Sequence, residues 1–483
     1  KSQKAFVDFQ HDVTADDIRL ANLEGFSAPE HMKRYTTLGM ATEQGRNAAI
    51  PALAILGGEQ GKTIAQTGAT RFRPPASGVS FGVLAAERYG DLQPDRRTPM
   101  HDWHLENGAT LYAAGLWHRP MIYGRTGETV EQAYVREARA VRMGAGIVDV
   151  STLGKIDIQG PDAGKFLDRV YTNMFSNLTV GKARYGLMLR EDGLVMDDGT
   201  TWRLGETHFL MTTPTANAGK VMQHLDYCLD WLWPDLKVHL TSVTDQWAGA
   251  AVGGPFARKV LENCVEGARV DNDALPFMGI VHGTIAGKPV MICRLSFSGE
   301  LAYEVYSGAG HGQHVWDALM EAGKPFNITP YGLEALGTLR IEKGHVTGAE
   351  IDGRTTAHDL HLEWMLSKKK PFVGKSMMNR PGLTDENRLS LVGIISTSGK
   401  PVSGGSHIVD EDELTEPAQS LGHITAACYS PALEKYIALA LVKNGKSRIG
   451  TTAFATAPLT GQHLPVEIVD CHMFDPEGRR MHV

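Results

Sequence analysis

The 483-residue sequence predicts an α+β protein. Its expected architecture is a pair of duplicated split βαβ modules around a central cleft, with a C-terminal β-barrel-like domain and a small helical N-terminal segment. Three observations predict it. Residues 156–168 and 250–262 repeat one pattern: an apolar strand, then Gly160-Pro161 or Gly254-Pro255, then an amphipathic helix. Two such units suggest paired modules facing each other with a ligand site between them. Short β-rich runs from about residue 385 carry turn signals at Ser398-Gly399, Ser403-Gly404-Gly405 and Pro476-Glu477-Gly478, which reads as a small barrel or sandwich. The first 63 residues read instead as short helices.

Within that leading segment, 1–63, Thr14 with Asp17 and Ser27 with Glu30 match N-terminal capping pairs, and Gly25 fits the break between two helices. Residues 64–97, with Arg71-Phe72-Arg73-Pro74-Pro75 and Gln93-Pro94-Asp95-Arg96-Arg97, read as an extended connector. Mixed strands and helices follow over 98–384. The Gly-Pro pairs there are expected to place proline at the first helical position, where its missing N–H is no loss. A hairpin is expected from Tyr185–Arg190, a turn at Glu191-Asp192-Gly193 and a return through Leu194–Asp198. The barrel domain then covers 385–483.

Composition excludes several classes. A net charge of −7, from 48 Lys+Arg against 55 Asp+Glu, argues against nucleic acid as the main partner. No apolar run approaches the roughly 20 residues that cross a bilayer, so no membrane is expected. Five scattered cysteines without a CxxC pair fit reduced thiols in the cytoplasm and give no metal site. Structured-looking sequence starts at once at Lys1, as in a chain cut from a longer polypeptide, although a trimmed start methionine looks the same. Gly57–Thr63 imitates a phosphate loop but is one residue short, and a surface turn is expected. His358 and His361 lack a third ligand at a familiar spacing.

Two acidic positions carry the chemistry. Glu304 lies inside an apolar, aromatic strand between Tyr303 and Val305, sharing a face with Ala302 and Tyr306. On spacing alone it is a half-exposed carboxylate facing water. If buried, it needs a partner, and a ligand with two adjacent N–H donors, such as the 2-amino-4-oxopyrimidine edge of a pterin, has the right shape. Asp197-Asp198 ends the hairpin, one expected to enter a cleft and the other to stay solvated; alternatively both simply decorate the turn.

Several segments match one family in order: Thr98-Pro99-Met100-His101-Asp102, Gly146–Ser151, Gln159–Ala163, Thr172-Asn173, Tyr185, Asp192–Asp198, Gly299–Glu304 and Thr338–Gly344. Over roughly residues 98–483 the chain resembles the tetrahydrofolate-dependent aminomethyltransferases, the T-proteins of glycine cleavage. Leu336 stands where that family carries arginine, and Phe297 where it carries tyrosine, which detaches this chain from a lipoyl-bound donor. Phe6–Thr14, Lys33–Met40 and Thr70–Pro75, with Phe474–Gly478, resemble the α subunits of heterotetrameric sarcosine oxidases instead.

The resemblance implies a subunit that captures the one-carbon unit of a sarcosine-derived imine on tetrahydrofolate, as 5,10-methylenetetrahydrofolate. It implies Asp197 as the catalytic carboxylate, Glu304 as the pterin ligand, and Tyr185 packing on or bonding to the folate. Arg340 and Glu342 are expected as a structural ion pair. Lys33, Arg34 and Thr36 offer cations and a hydroxyl for a flavin phosphate. FMN and FAD are expected on or with the β, γ and δ partner subunits, and NAD on an N-terminal half of the α subunit. A demethylase acting on another methylated amine or betaine, such as dimethylglycine, and a non-catalytic folate-binding scaffold remain the alternatives.

Overall fold

The computed structural model describes residues 4–73, 79–85, 95–411 and 419–483, in two compact units divided between Pro94 and Asp95. In the first unit, strands β1 (Phe6–Asp8) and β2 (Val13–Thr14) pair antiparallel ahead of five helices. These are α1 (Ala15–Leu23), α2 (Pro29–Thr36), α3 (Ala49–Glu59), α4 (Ile64–Thr67) and α5 (Phe81–Ala85). The leading segment is therefore not purely helical. Thr14 and Asp17 form the expected capping box. Ser27 does not cap: α2 starts after Ala28, with Pro29 in its first turn. The stretch expected to be an extended connector carries α4 and α5, while Pro74, Pro75, Gln93 and Pro94 lie outside the described residues. Gly57–Thr63 is the end of α3 and the turn after it, with Gly57 buried against Thr67.

The second unit opens with α6 (His101–Glu106) and the hairpin β3 (Ala109–Ala114) and β4 (Trp117–Tyr123). Helix α7 (Val130–Met143) and β5 (Gly146–Asp149) follow. The first module is β6 (Gly154–Gln159), α8 (Ala163–Val170), β7 (Lys182–Leu189), β8 (Val195–Gly205), β9 (His208–Thr213), α9 (Ala218–Tyr227) and β10 (His239–Ser242). Its sheet order is β10-β6-β9-β8-β7. The second module repeats the plan with β11 (Trp247–Gly253), α10 (Ala257–Glu262), β12 (Val265–Glu266), β13 (Ile280–Ile285), β14 (Lys288–Cys293), β15 (Ala302–Gly308), α11 (Gly312–Gly323) and β16 (Thr329–Pro330). Its order is β12-β13-β14-β15-β11-β5-β16. The place beside β6 held by β10 is held beside β11 by β5, from ahead of the first module.

The shared Gly-Pro signature has a different cause from the expected one. Helices α8 and α10 begin at Ala163 and Ala257, so Pro161 and Pro255 sit in the turn before the cap, not at the first helical position. Glycine is what the turn requires. Gly160 has φ +138°, and a Cβ there would lie 2.2 Å from the Lys237 carbonyl oxygen; Gly254 has φ +120° and an equivalent clash with Gly144.

The two sheets pack face to face. Ala183, Trp202 and Leu210 of the first meet Val148, Met291, Cys293 and Tyr306 of the second in one buried cluster. Helices α8 and α9 cover the outer face of the first sheet, and α10 and α11 that of the second. After α12 (Leu333–Lys343) the chain reaches a closed barrel. Its strands are β17 (Leu389–Ser396), β18 (His407–Val409), β19 (Gly422–Ser430), β20 (Lys435–Lys443), β21 (Thr452–Ala457) and β22 (Gln462–Val469), in the order β17-β20-β19-β18-β21-β22. The expected duplication and barrel are both present. Among the described residues no helix is long and apolar enough to cross a membrane.

Candidate functional site

A junction forms where the seam between the sheets meets the barrel. Tyr185 and Leu187 of β7 pack against Ile341 of α12 and Leu439 of β20, while Cys428 of β19 touches both this cluster and the seam. Strand β8 supplies the carboxyls. The hairpin register is Leu189 opposite Val195 but Met188 opposite Asp197, with a bulge between them. Without the bulge Asp197 would pair with Leu187 and share the face of Tyr185. The extra residue flips that parity.

Asp198 therefore pairs with Leu187 and Thr200 with Tyr185. The Tyr185 hydroxyl donates to Asp198 Oδ2 at 2.7 Å. Trp202, two residues on from Thr200, donates to Thr200 Oγ1 at 3.0 Å, which fixes these side chains on the seam face. Asp197 points the other way. It is buried opposite Met188, which belongs to the outer cluster with α8 and α9. Its Oδ1 accepts from Asn217 Nδ2 at 2.7 Å, and its Oδ2 has no partner among the described residues. The two aspartates therefore lie on opposite faces of the sheet, Asp198 with Tyr185 and Asp197 with Asn217.

Burial sets the electrostatics. Desolvation raises the Asp198 carboxyl to about 6, against the lowering effect of the Tyr185 hydrogen bond, and Glu350 raises it further. Burial also lifts the Tyr185 phenol well above its ordinary range. Asn173 Nδ2 holds the Tyr185 carbonyl at 2.8 Å while its own Oδ1 is buried without a donor.

Across the seam lies Glu304, 8% exposed on β15, between Ala251 of β11 and Cys293 of β14. It does not face water. Its Oε2 accepts from the Tyr306 hydroxyl at 3.0 Å. Desolvation raises it to about 7, countered by Tyr306 and by Lys155. Lys155 carries no sequence signal that singles it out. It is fully buried on β6, opposite Thr212. Its ammonium donates to the Ser151 and Leu153 carbonyls at 2.7 and 2.8 Å and lies 5.4 Å from the Tyr306 ring centre. Burial brings it down to about 8.

The other expected groups are committed elsewhere. Arg340 pairs with Glu350 at 2.9 Å and Glu342 with Arg142 at 2.5 Å, so they do not pair with each other. Leu336 packs into the seam. In the first unit, buried Lys33 donates to the Arg71 carbonyl, Arg34 pairs with Glu30 at 2.9 Å, and Thr36 donates to the Met32 carbonyl. Each of these three has a partner within the first unit.

Two facing split βαβ sheets, closed by a six-stranded barrel and enclosing carboxyls of raised pKa, define an aminomethyltransferase-type fold. Residues 100–370 match the GCVT N-terminal domain, 390–475 the glycine cleavage T-protein C-terminal barrel domain, and 2–88 the sarcosine oxidase A3 domain. The chain is 33% identical to an aminomethyltransferase of Chloroherpeton thalassium over 74% of its own length and 93% of that protein. It superposes on the aminomethyltransferase T of Bartonella henselae with a TM-score of 0.68 at 22% identity, covering 79% of this chain and 98% of that one. The chain belongs to the aminomethyltransferase family of the glycine cleavage T-protein. Along 99% of its length it is also 47% identical to the sarcosine oxidase subunit alpha of Rhizobium meliloti, of which it covers 49%. It thus spans about half the length of that relative.

Proposed function

We propose that the seam binds a reduced folate and that the chain captures on it the one-carbon unit of an imine, giving 5,10-methylenetetrahydrofolate. In this reading the imine comes from flavin-dependent oxidation of sarcosine in a larger assembly whose other chains hold FMN and FAD. The family supports one-carbon transfer, and the likeness to a sarcosine oxidase subunit supports the source of the carbon. The observation that carries the proposal is a carboxyl on the seam face of each sheet, Tyr185-held Asp198 on one and buried Glu304 on the other. Neither carboxyl has a cation within ion-pair distance among the described residues, so each is left for a ligand rich in N–H groups.

The residues fit a folate chemically. Glu304, bonded at Oε2 by Tyr306 and at Oε1 by none of the described residues, can accept at Oε1 from a pterin edge. Tetrahydrofolate supplies two neighbouring amines, N5 and N10, that a one-carbon unit can bridge. Asp198, poised at about 6, accepts the proton shed when an amine N–H gives way to a C–N bond and passes it to the imine nitrogen, which leaves as the amine of glycine when its bond to the transferred carbon breaks. Tyr185 fixes the carboxyl's orientation through its hydroxyl. The closed seam keeps an imine from bulk water, and holding the partners together can remove several kcal/mol of barrier.

The test is to trap methylenetetrahydrofolate formed by the assembled enzyme from sarcosine and tetrahydrofolate. Formation above the spontaneous background, lost in Asp198→Asn, is expected. No measurable tetrahydrofolate affinity would sink the reading.

A further inference from the structure

Arg119, on β4, is 9% exposed and makes no ion pair among the described residues, although the Asp149 charge acts on it. Its Nη2 reaches the Asp149 carbonyl oxygen at 3.3 Å, and its Nε has no hydrogen-bond partner among the described residues. The Asp149 carboxylate is already used: Oδ2 lies 3.0 Å from His104 Nε2, and Oδ1 accepts from the Ser151 N–H at 2.8 Å. The other buried arginines among the described residues are better partnered, although Arg294 too leaves its Nε without a partner. Arg142 grips Glu300 and Glu342, Arg340 grips Glu350, and Arg294 donates to Asn272 and to carbonyls. A guanidinium has five N–H donors in a fork that matches a carboxylate, and burying it without an anion is strongly unfavourable. Burial lowers its pKa, opposed by Asp149 and Tyr112.

Its position gives the unmet donors a use. The carbonyl that Arg119 touches ends β5, and the next residue, Val150, packs in the seam with Tyr306 and Trp202. Trp117, two residues back on β4, lines a cavity of about 520 Å³ with Arg97, Ser151 and Thr244. The 149–155 segment thus has the cavity on one side and, through Lys155 and Tyr306, Glu304 on the other.

We infer that Arg119 is a carboxylate-binding residue whose guanidinium takes the carboxylate of a ligand docked beside the seam. The proposed function offers two sources of that group, and the ligand's identity rests on that reading: the α-carboxylate of an amino-acid-derived imine, and the glutamyl carboxylates of a folate. The structure leaves the fork ready for either.

The experiment compares the native polypeptide with Arg119→Met and Arg119→Lys. Probes are tetrahydrofolate, tetrahydropteroate (which lacks the glutamate), but-3-enoate as a carbon isostere of the imine, and but-3-enamide. Both variants should lose roughly tenfold or more in affinity for a carboxylate probe while the matching neutral probe is unaffected. Loss confined to tetrahydrofolate assigns the tail; loss confined to but-3-enoate assigns the imine. The melting temperature of ligand-free Arg119→Met should not fall, since methionine removes an unpaired buried charge. Unchanged affinity for every probe in both variants would overturn the assignment. Failure of the folate reading looks different: the native chain would bind neither pterin, yet but-3-enoate would still sense Arg119.

Discussion

The rings of Trp202 and Tyr306 meet edge to face, centroids 5.3 Å apart and planes at 64°. One belongs to the first sheet and the other to the second, and each carries a polar device on its own strand. Trp202 holds Thr200, beside Tyr185 and Asp198; Tyr306 holds Glu304. The contact therefore ties the strand that carries Asp198 to the strand that carries Glu304. Trp202→Ala should cost about 3–5 kcal/mol of stability and weaken folate binding, which chemical denaturation and titration would measure.

Adjacent aspartates should behave oppositely. Asp198→Asn is expected to lower turnover by about 10²-fold or more, the usual scale for a positioned general base. Asp197→Asn should leave turnover near normal, because burial pushes the Asp197 carboxyl well above its usual range toward the neutral form and asparagine still accepts from Asn217. Equal losses in single-turnover rates would return the role to Asp197.

Glu304→Gln should weaken tetrahydrofolate binding by about 1–3 kcal/mol, since an acceptor becomes a donor facing N–H groups. Native affinity should also tighten as pH rises through about 7, where Glu304 ionises. The variant should lose that dependence in titrations on either side of neutrality.

Stability should respond to pH with a definite sign. Folded Glu304 keeps its proton up to about 7 against an ordinary value of 4.5, and folded Asp198 up to about 6 against 3.8. Through those windows the unfolded chain binds fewer protons than the folded one, so both groups lower stability as pH rises. Their contribution is most favourable below about 4 and has been lost by about 7. Melting curves at pH 5 and pH 8 should show a smaller drop for Glu304→Gln than for the native chain; an equal drop excludes Glu304 as a source.

Gly160→Ala should destabilise the fold by roughly 2–4 kcal/mol through a left-handed φ and a clash with the Lys237 carbonyl. Gly219→Ala, in the first turn of α9 with open space around its Cβ, should stabilise by about 0.5–1 kcal/mol. Denaturant midpoints would separate the two.

Much of the fold was legible because its signals are local. The repeated Gly-Pro turns announced the duplication, and alternation around Glu304 gave its strand and face. The carboxylate pair was not legible in the same way. A single bulged residue near Met188 decides which aspartate meets Tyr185, and nothing in the Asp192–Asp198 composition records it. Arg340 and Glu342 misled for a related reason: proximity on one helix suggested a pair, but their partners Glu350 and Arg142 come from other segments. Lys33, Arg34 and Thr36 have the chemistry of a phosphate site and spend it on neighbouring carbonyls and Glu30.

Glu342 belongs to α12, yet it is gripped from two sides: Arg142 of α7 at Oε2, and at Oε1 the hydroxyl of Ser430, where a barrel strand ends. One carboxylate thus rivets the barrel to the sandwich of sheets. Cutting the exposed stretch Asp385–Asn387 would break the chain without releasing either piece, and the nicked halves should travel together, held by Glu342 and by the apolar junction around Ile341 and Leu439.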